Sequence, residues 1–220
     1  GAQGRRYLDA VSSLWCNAFG HRRPEIDAAI REQLDRVAHA TFLGNATAPA
    51  VHLAKRLVDL TPAPLTRVFY SDNGSTAVEI ALKMAWQYWQ QVPNGGARKT
   101  FIKMGNAYHG DTIGAVSVGG IDIFHARYGG LLFDTVEAPS PSAYRHPGFA
   151  TRADAEEAAV RRFETLIAEH ADHLAAVVVE PGVQGAAGML TQPEGFLRRI
   201  REATTRAGAL LILDEVAVGF

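Results

Sequence analysis

The stretch "LAAVVVEPGVQGAAGMLTQPEGFLRRIREATTRAGALLILDE", residues 174–215, decides the fold class. Its two apolar runs, "AAVVVEP" and "ALLILDE", are continuous rather than alternating, so each reads as a strand buried on both faces. Between them, "PEGFLRRIREATTRAG" has apolar residues at helical spacing, with Gly208 placed as a C-terminal cap. Upstream, "EEAAVRRFETLIAEH" is an amphipathic helix, and "LLFDTVEAP", "KTFIKM" and "TRVFYS" (66–71) read as further strands. "TRVFYS" runs through a "DNGS" turn into the helix "TAVEIALKMAWQYWQQ" (76–91). Apolar strands alternating with helices indicate an α/β fold, a mainly parallel sheet with helices on both faces.

Two segments fall outside this alternation. Residues 1 to about 45 mix polar and aromatic residues as an N-terminal arm does. Residues 138–153, "APSPSAYRHPGFATRA", contain three prolines and read as a surface excursion.

Composition narrows the function classes. In a chain of 220 residues, 47% hydrophobic content with 20% charged residues is enough to bury a core. A net charge of −1 with scattered arginines provides no basic patch for nucleic acid or an anionic membrane. No stretch approaches the roughly 20 apolar residues of a membrane span, and the start "GAQGRRYLDA" has no signal-peptide core. The single cysteine, Cys16, cannot form an internal disulfide, which fits a reducing cytoplasm. No metal site is expected. The missing initiator methionine and the end at Phe220 suggest a larger polypeptide.

The candidate chemistry gathers where strands end. "YSDNGSTAVE" (70–79) is a strand, a turn and a helix start, which aims the free amides near Gly74 and Ser75 at an anion. The same residues also make an ordinary capped helix. "NAYHGDT" (106–112) presents Tyr108 and His109 before a helix expected to start at Asp111. The tyrosine is placed either to stack on a planar ligand or to pack in a loop. Glu180 and Asp214 each follow a buried strand directly. An unpaired carboxylate there is costly, so Asp214 calls for a cationic partner, while Glu180 is an ion-pair partner, a loop anchor or a site residue. A phosphate nest, an aromatic plate and a buried aspartate together fit pyridoxal phosphate better than a nucleotide, because the protonated pyridine nitrogen needs an anion beside it.

These motifs, with "GRRYLDAVSSLWCNAFGHRRPEI", "FYSDNGSTAVEIALKMAWQYW", "NAYHGDTIGAVSVGG", "EPGVQGAAGM" and "LILDEVAVGF", resemble the class III aminotransferases of fold type I. Within that family, "SSLW", "KMAWQYW" and "YHGDTIGAVSVG" resemble the branch that aminates 8-amino-7-oxononanoate in biotin biosynthesis. The resemblance implies two regions: residues 1–45 as an arm and part of a small domain, and 46–220 as a cofactor-binding large domain incomplete at its C-terminus. It implies that Gly74 and Ser75 hold the phosphate of pyridoxal 5'-phosphate. Tyr108 would stack on its ring with His109 beside it, Asp214 would pair with the ring nitrogen, and Glu180 would support the site. Trp15 and Tyr108 would line the pocket for the long keto acid.

The amino donor implied is S-adenosylmethionine or lysine, and "HATFLGNATAPA" looks closer to the lysine-using branch. The resemblance implies that the family's catalytic lysine lies beyond the "DE" strand; none of Lys55, Lys83, Lys99 and Lys103 matches that position, so this stretch alone is expected to be inactive. A homodimer is implied, with the Trp-rich helix offering apolar area, although burial against the sheet explains most of that helix equally well. Asn73, Ala107 and Val218 depart from the family pattern, and Val218 replaces a hydroxyl residue. The alternatives are another class III enzyme, of 4-aminobutyrate or acetylornithine type, and a non-catalytic binding chain.

Overall fold

The computed structural model describes residues 2–144 and 148–219. The chain separates into two compact units, Gly1–Phe69 and Tyr70–Phe220. The first contains α1 (Ser12–Trp15), α2 (Pro24–Arg36) and α3 (Ala48–Leu60). Pro24 opens α2, where its fixed φ suits a helix start, and Glu25 and Asp27 sit in the first turn against the positive end of the helix dipole. α1 is one left-handed turn, with φ of 51° at Ser12, 52° at Ser13, 62° at Leu14 and 71° at Trp15. That conformation costs about 1–2 kcal/mol for each residue with a side chain. Asp9 braces it: Oδ2 accepts hydrogen bonds from the Ser13 amide at 2.9 Å and from Nε2 of His21 at 2.7 Å.

The second unit is the α/β body. A four-stranded parallel sheet runs in the order β2 (Val136–Ala138), β1 (Thr100–Met104), β3 (Leu174–Val179), β6 (Leu210–Leu213). Ile102, Met104, Val177 and Val179 face Phe163 and Leu166 of α7 (Arg152–Glu169) and Phe196 and Ile200 of α8 (Phe196–Arg206). Phe101, Ala176 and Val178 face Val78, Leu82, Ala85 and Trp89 of α4 (Gly74–Gln91). Every residue of β3 is buried, which is why its sequence shows no alternation. Gly208, at φ +63°, ends α8: its amide donates to the Thr205 carbonyl and the Ala209 amide to that of Thr204, the paired bonds of a Schellman cap.

Three expectations need correction. Residues 66–71 form no strand. Their burial alternates, but they join no ladder, and β-rich composition does not make a strand without a hydrogen-bonding neighbour. The helix expected from Asp111 is α5 (Ile113–Ser117), capped at Thr112, because the Asp111 side chain is occupied by the Tyr108 hydroxyl. The proline-rich excursion is not all surface: Ser140 and Ala143 are buried, and Ser140 Oγ donates to Oε1 of the fully buried Gln184 at 2.5 Å. Residues 145–147 of that excursion lie outside the described residues. On α4, Trp89 is buried and donates Nε1–H to the Ala175 carbonyl at 2.8 Å, whereas Met84, Trp86 and Tyr88 are exposed. The glycine-rich loop after Glu180 closes on itself as the antiparallel pair β4 (Val183–Gln184) and β5 (Leu190–Thr191).

Candidate active site

Parallel pairing brings the carboxyl ends of β1, β3 and β6 to one edge of the sheet, where α/β folds bind ligands. Val179 is in register with Leu213, so Glu180 and Asp214 leave adjacent strands at the same level. The Asp214 amide also donates to the Val179 carbonyl at 2.9 Å. Beside them, the loop after β1 carries Tyr108 and His109.

His109 and Asp214 form the centre of this edge. Nδ1 of His109 lies 2.7 Å from Oδ2 of Asp214, with the two side chains 0% and 6% exposed. A carboxylate only accepts, so the imidazole proton sits on Nδ1. Oδ1 of Asp214 accepts from the Val216 amide at 3.1 Å. A carboxylate has about four lone-pair sites, so Asp214 retains capacity for a further donor. Nε2 of His109 is buried with no partner among the described residues.

Glu180 acts as a clamp. Its Oε1 accepts from the Tyr108 amide and its Oε2 from the Gly185 amide, each at 2.9 Å, which ties the Tyr108 loop to the glycine-rich loop. Burial pushes the Glu180 carboxyl above its ordinary range, against the pull of those two amides. Gln192 locks the same corner by donating Nε2–H to the Glu180 carbonyl at 2.6 Å. The Tyr108 hydroxyl donates to Asp111 at 2.9 Å, and burial, reinforced by that carboxylate, raises its pKa. Its ring lies nearly parallel to that of the buried His125, at 11° with centroids 6.3 Å apart.

The candidate anion site is the start of α4. Asn73 caps the helix: Oδ1 accepts from the Thr76 amide at 3.0 Å, and Thr76 Oγ1 accepts from the Asn73 amide at 3.3 Å. First-turn amides have no intrahelical acceptor, so those of Gly74 and Ser75 remain to meet an anion at the positive end of an 18-residue helix. Gly110, at φ +107°, passes so close that a Cβ there would collide with the side chain of Ser75. The Val216 side chain also crowds Gly74, 2.7 Å from where a Cβ would stand. These residues fit a phosphate-bearing aromatic cation: free amides for the phosphate, a tyrosine ring for a planar face, and a buried aspartate for a protonated ring nitrogen.

The structure therefore brings Tyr108, His109, Glu180 and Asp214 to one edge and puts Gly74 and Ser75 against the Tyr108 loop through Gly110 and Thr112. Trp15 belongs to the first unit, on its left-handed turn, and is half-exposed. Among the described residues, no lysine joins this cluster. Lys103 donates to the Gly119 carbonyl at 2.6 Å, Lys99 lies over the Trp86 ring, and Lys55 pairs with Asp59 in the first unit. Four residues that shape these parts escaped the sequence reading: Asp9, Glu79, Thr112 and Gln184. Among the described residues, no His, Cys, Asp and Glu group is arranged to hold a metal, and no helix is long and apolar enough to cross a membrane.

The comparisons agree with this architecture. Residues 1–220 match the family described as aminotransferase class-III. An adenosylmethionine-8-amino-7-oxononanoate aminotransferase of Nitratidesulfovibrio vulgaris is 57% identical over 218 residues, 99% of this chain and 40% of its own length. The enzyme of that name from Anoxybacillus flavithermus is 50% identical, over 99% of this chain and 47% of its own. The chain thus spans about half the length of the curated relatives it matches. Among solved structures, the enzyme of that name from Methanocaldococcus jannaschii superposes with a TM-score of 0.87 at 43% identity, over 99% of this chain and 47% of that one. An (S)-enantioselective omega-transaminase from Thermomicrobium roseum gives 0.90 at 35% identity, over 100% and 49%.

Proposed function

The chain belongs to the class-III aminotransferases, and from that premise we propose that the intact protein is a pyridoxal-phosphate enzyme that aminates 8-amino-7-oxononanoate to 7,8-diaminononanoate. The observation that carries the cofactor reading is the buried His109–Asp214 pair at the carboxyl edge of β6. The substrate reading is supported by the names of relatives at 57% and 50% identity. Bound there, the cofactor supplies an electron sink for proton removal from the amino-bearing carbon.

This chain's residues do the holding and the tuning. The amides of Gly74 and Ser75 bind the phosphate, and the face of Tyr108 fixes the ring plane. Asp214 keeps a proton on the ring nitrogen, and His109 holds Asp214 in place. Glu180 fixes the Tyr108 backbone and so the position of its ring. In the first unit, Trp15 is the candidate contact for the keto acid. Its left-handed turn supports that role, because strain held in place by a brace such as Asp9 is typical of functional segments. The large domain, in this reading, comprises residues 46–220, the protein works in the cytoplasm, and the exposed Met84, Trp86 and Tyr88 of α4 favour a homodimer.

A second reading, transamination of another ω-amino substrate, draws on the likeness to the Thermomicrobium roseum structure, but the sequence identity there is lower, 35%. One assay separates the two. The intact protein with pyridoxal phosphate and 8-amino-7-oxononanoate, given either S-adenosylmethionine or lysine, is expected to form 7,8-diaminononanoate with one donor. Consumption of the keto acid with neither donor, alongside turnover of another ω-amine, would replace the first reading by the second.

A further inference from the structure

One carboxylate near the anion-binding turn has no part in the chemistry above. Glu79 lies one turn along α4 from Ser75 and bridges to the start of α5. Its Oε2 accepts from Thr112 Oγ1 at 2.7 Å and from the Gly114 amide at 2.9 Å. Thr112 in turn is bound twice to Ser75: its amide donates to Ser75 Oγ at 3.0 Å, and Ser75 Oγ donates to Thr112 Oγ1 at 3.1 Å. The fit is close, since a Cβ on Gly114 would stand 2.5 Å from the Glu79 carboxylate oxygens. Thr112 caps α5 without using its own side chain for that purpose, so Glu79 serves as the cap from another helix.

A negative charge this close to an anion site opposes the anion, so the carboxylate needs a compensating purpose there. We propose that Glu79 is a positioning residue for the phosphate turn. Through Thr112 it holds the Ser75 side chain and the Gly110 loop against the start of α4. The inference rests on the reading that a phosphate-bearing cofactor binds at Gly74 and Ser75. Both donors converge on the single oxygen Oε2, so the carbonyl oxygen of glutamine can replace it, whereas alanine cannot.

The test is titration of the intact apoprotein with pyridoxal 5'-phosphate and, in parallel, with pyridoxal, which lacks the phosphate, while a thermal melt monitors folding. Glu79→Ala is expected to weaken pyridoxal phosphate about tenfold, the scale of a hydrogen bond to a charged group, and to change pyridoxal by less than about twofold. Glu79→Gln keeps the acceptor and removes the repulsion, so it binds pyridoxal phosphate as well as wild type or better, most visibly at low salt. On a Ser75→Ala background, Glu79→Ala adds little, because the two act through one network. Should Glu79→Ala fail to fold, Thr112→Val removes the same bridge and is expected to show the same phosphate-selective loss. Equal weakening of both ligands, or wild-type affinity in Glu79→Ala, overturns the inference alone. A wild-type protein that binds no pyridoxal phosphate overturns the functional reading, and the inference falls with it.

Discussion

Nδ1 of His109 is 2.7 Å from Oδ2 of Asp214, and the pair joins the loop after β1 to the end of β6 across the intervening strand β3. Asn has one acceptor oxygen for the two donors His109 Nδ1–H and Val216 N–H, so Asp214→Asn should lower stability by about 1–3 kcal/mol and still fold. It also removes the charge, and turnover of the intact enzyme is expected to fall by about a hundredfold or more, the scale seen when one electrostatic stabiliser is lost. Steady-state kinetics beside a melt separates the two effects. Wild-type turnover in a folded Asp214→Asn protein would remove the assigned role.

The two glycines at the anion end make opposite predictions. Gly110 is at φ +107°, and a Cβ there would stand 2.8 Å from Cα of Ser75 as well as colliding with its side chain, so backbone must move. Gly110→Ala should cost more than about 1 kcal/mol. Gly74 is not in the left-handed region, and its obstacle is the exposed side chain of Val216, which can turn into solvent. Gly74→Ala should stay within about 0.5 kcal/mol. Denaturant melts of the two variants give the order directly, and a reversed order would refute this account of the turn.

Glu180 predicts both a stability loss and a change in pH dependence. Glutamine has one acceptor oxygen for two amides, so in Glu180→Gln either Tyr108 N–H or Gly185 N–H faces another donor, at a cost of about 1–3 kcal/mol. Burial raises the native pKa above the ordinary 4.5, so the folded protein retains this proton to higher pH than the unfolded chain does. This group's contribution is therefore complete below 4.5 and is lost as pH rises through the native pKa. Melts of wild type and Glu180→Gln from pH 4 upward should diverge in shape over that window, and parallel curves would count against it.

Much of this architecture was legible in the sequence, for reasons particular to each element. β3 and β6 were readable because burial on both faces leaves an unbroken apolar run, and Glu180 and Asp214 stood out against those runs. Residues 66–71 misled because β-rich composition does not supply a hydrogen-bonding neighbour. Glu79 and Gln184 were not legible. Glu79 looks like any polar position of an amphipathic helix, and its partners Thr112 and Gly114 lie 33 and 35 residues away. Gln184 sits in a glycine-rich loop, yet it is fully buried between Ser140 and the Gly105 carbonyl, to which its Nε2 donates at 2.8 Å. Neither pairing leaves a periodic trace. The cue present in the sequence was a polar residue with no solvent-facing reason to be there, which only a known neighbour can supply.

His125 supplies the last prediction. It is buried beneath Gly119, and neither ring nitrogen has a hydrogen-bond partner among the described residues. Burial depresses its pKa below 6.5, and Lys103 and His109 add to this while Asp111 and Asp122 oppose it. An unfolded chain takes up a proton near 6.5, whereas the native protein does so only at lower pH, so this residue's contribution is present above 6.5 and lost as pH falls through the depressed native value. His125→Leu leaves no donor or acceptor unpaired and has no charge to desolvate. It should match wild type to within about 1 kcal/mol at pH 8, and it should lack this residue's part of the decline in stability below pH 6.5. Chemical denaturation at pH 8 and pH 5.5 measures both. An identical decline in the two proteins would mean that the imidazole is solvated and free to charge, contrary to its place under Gly119.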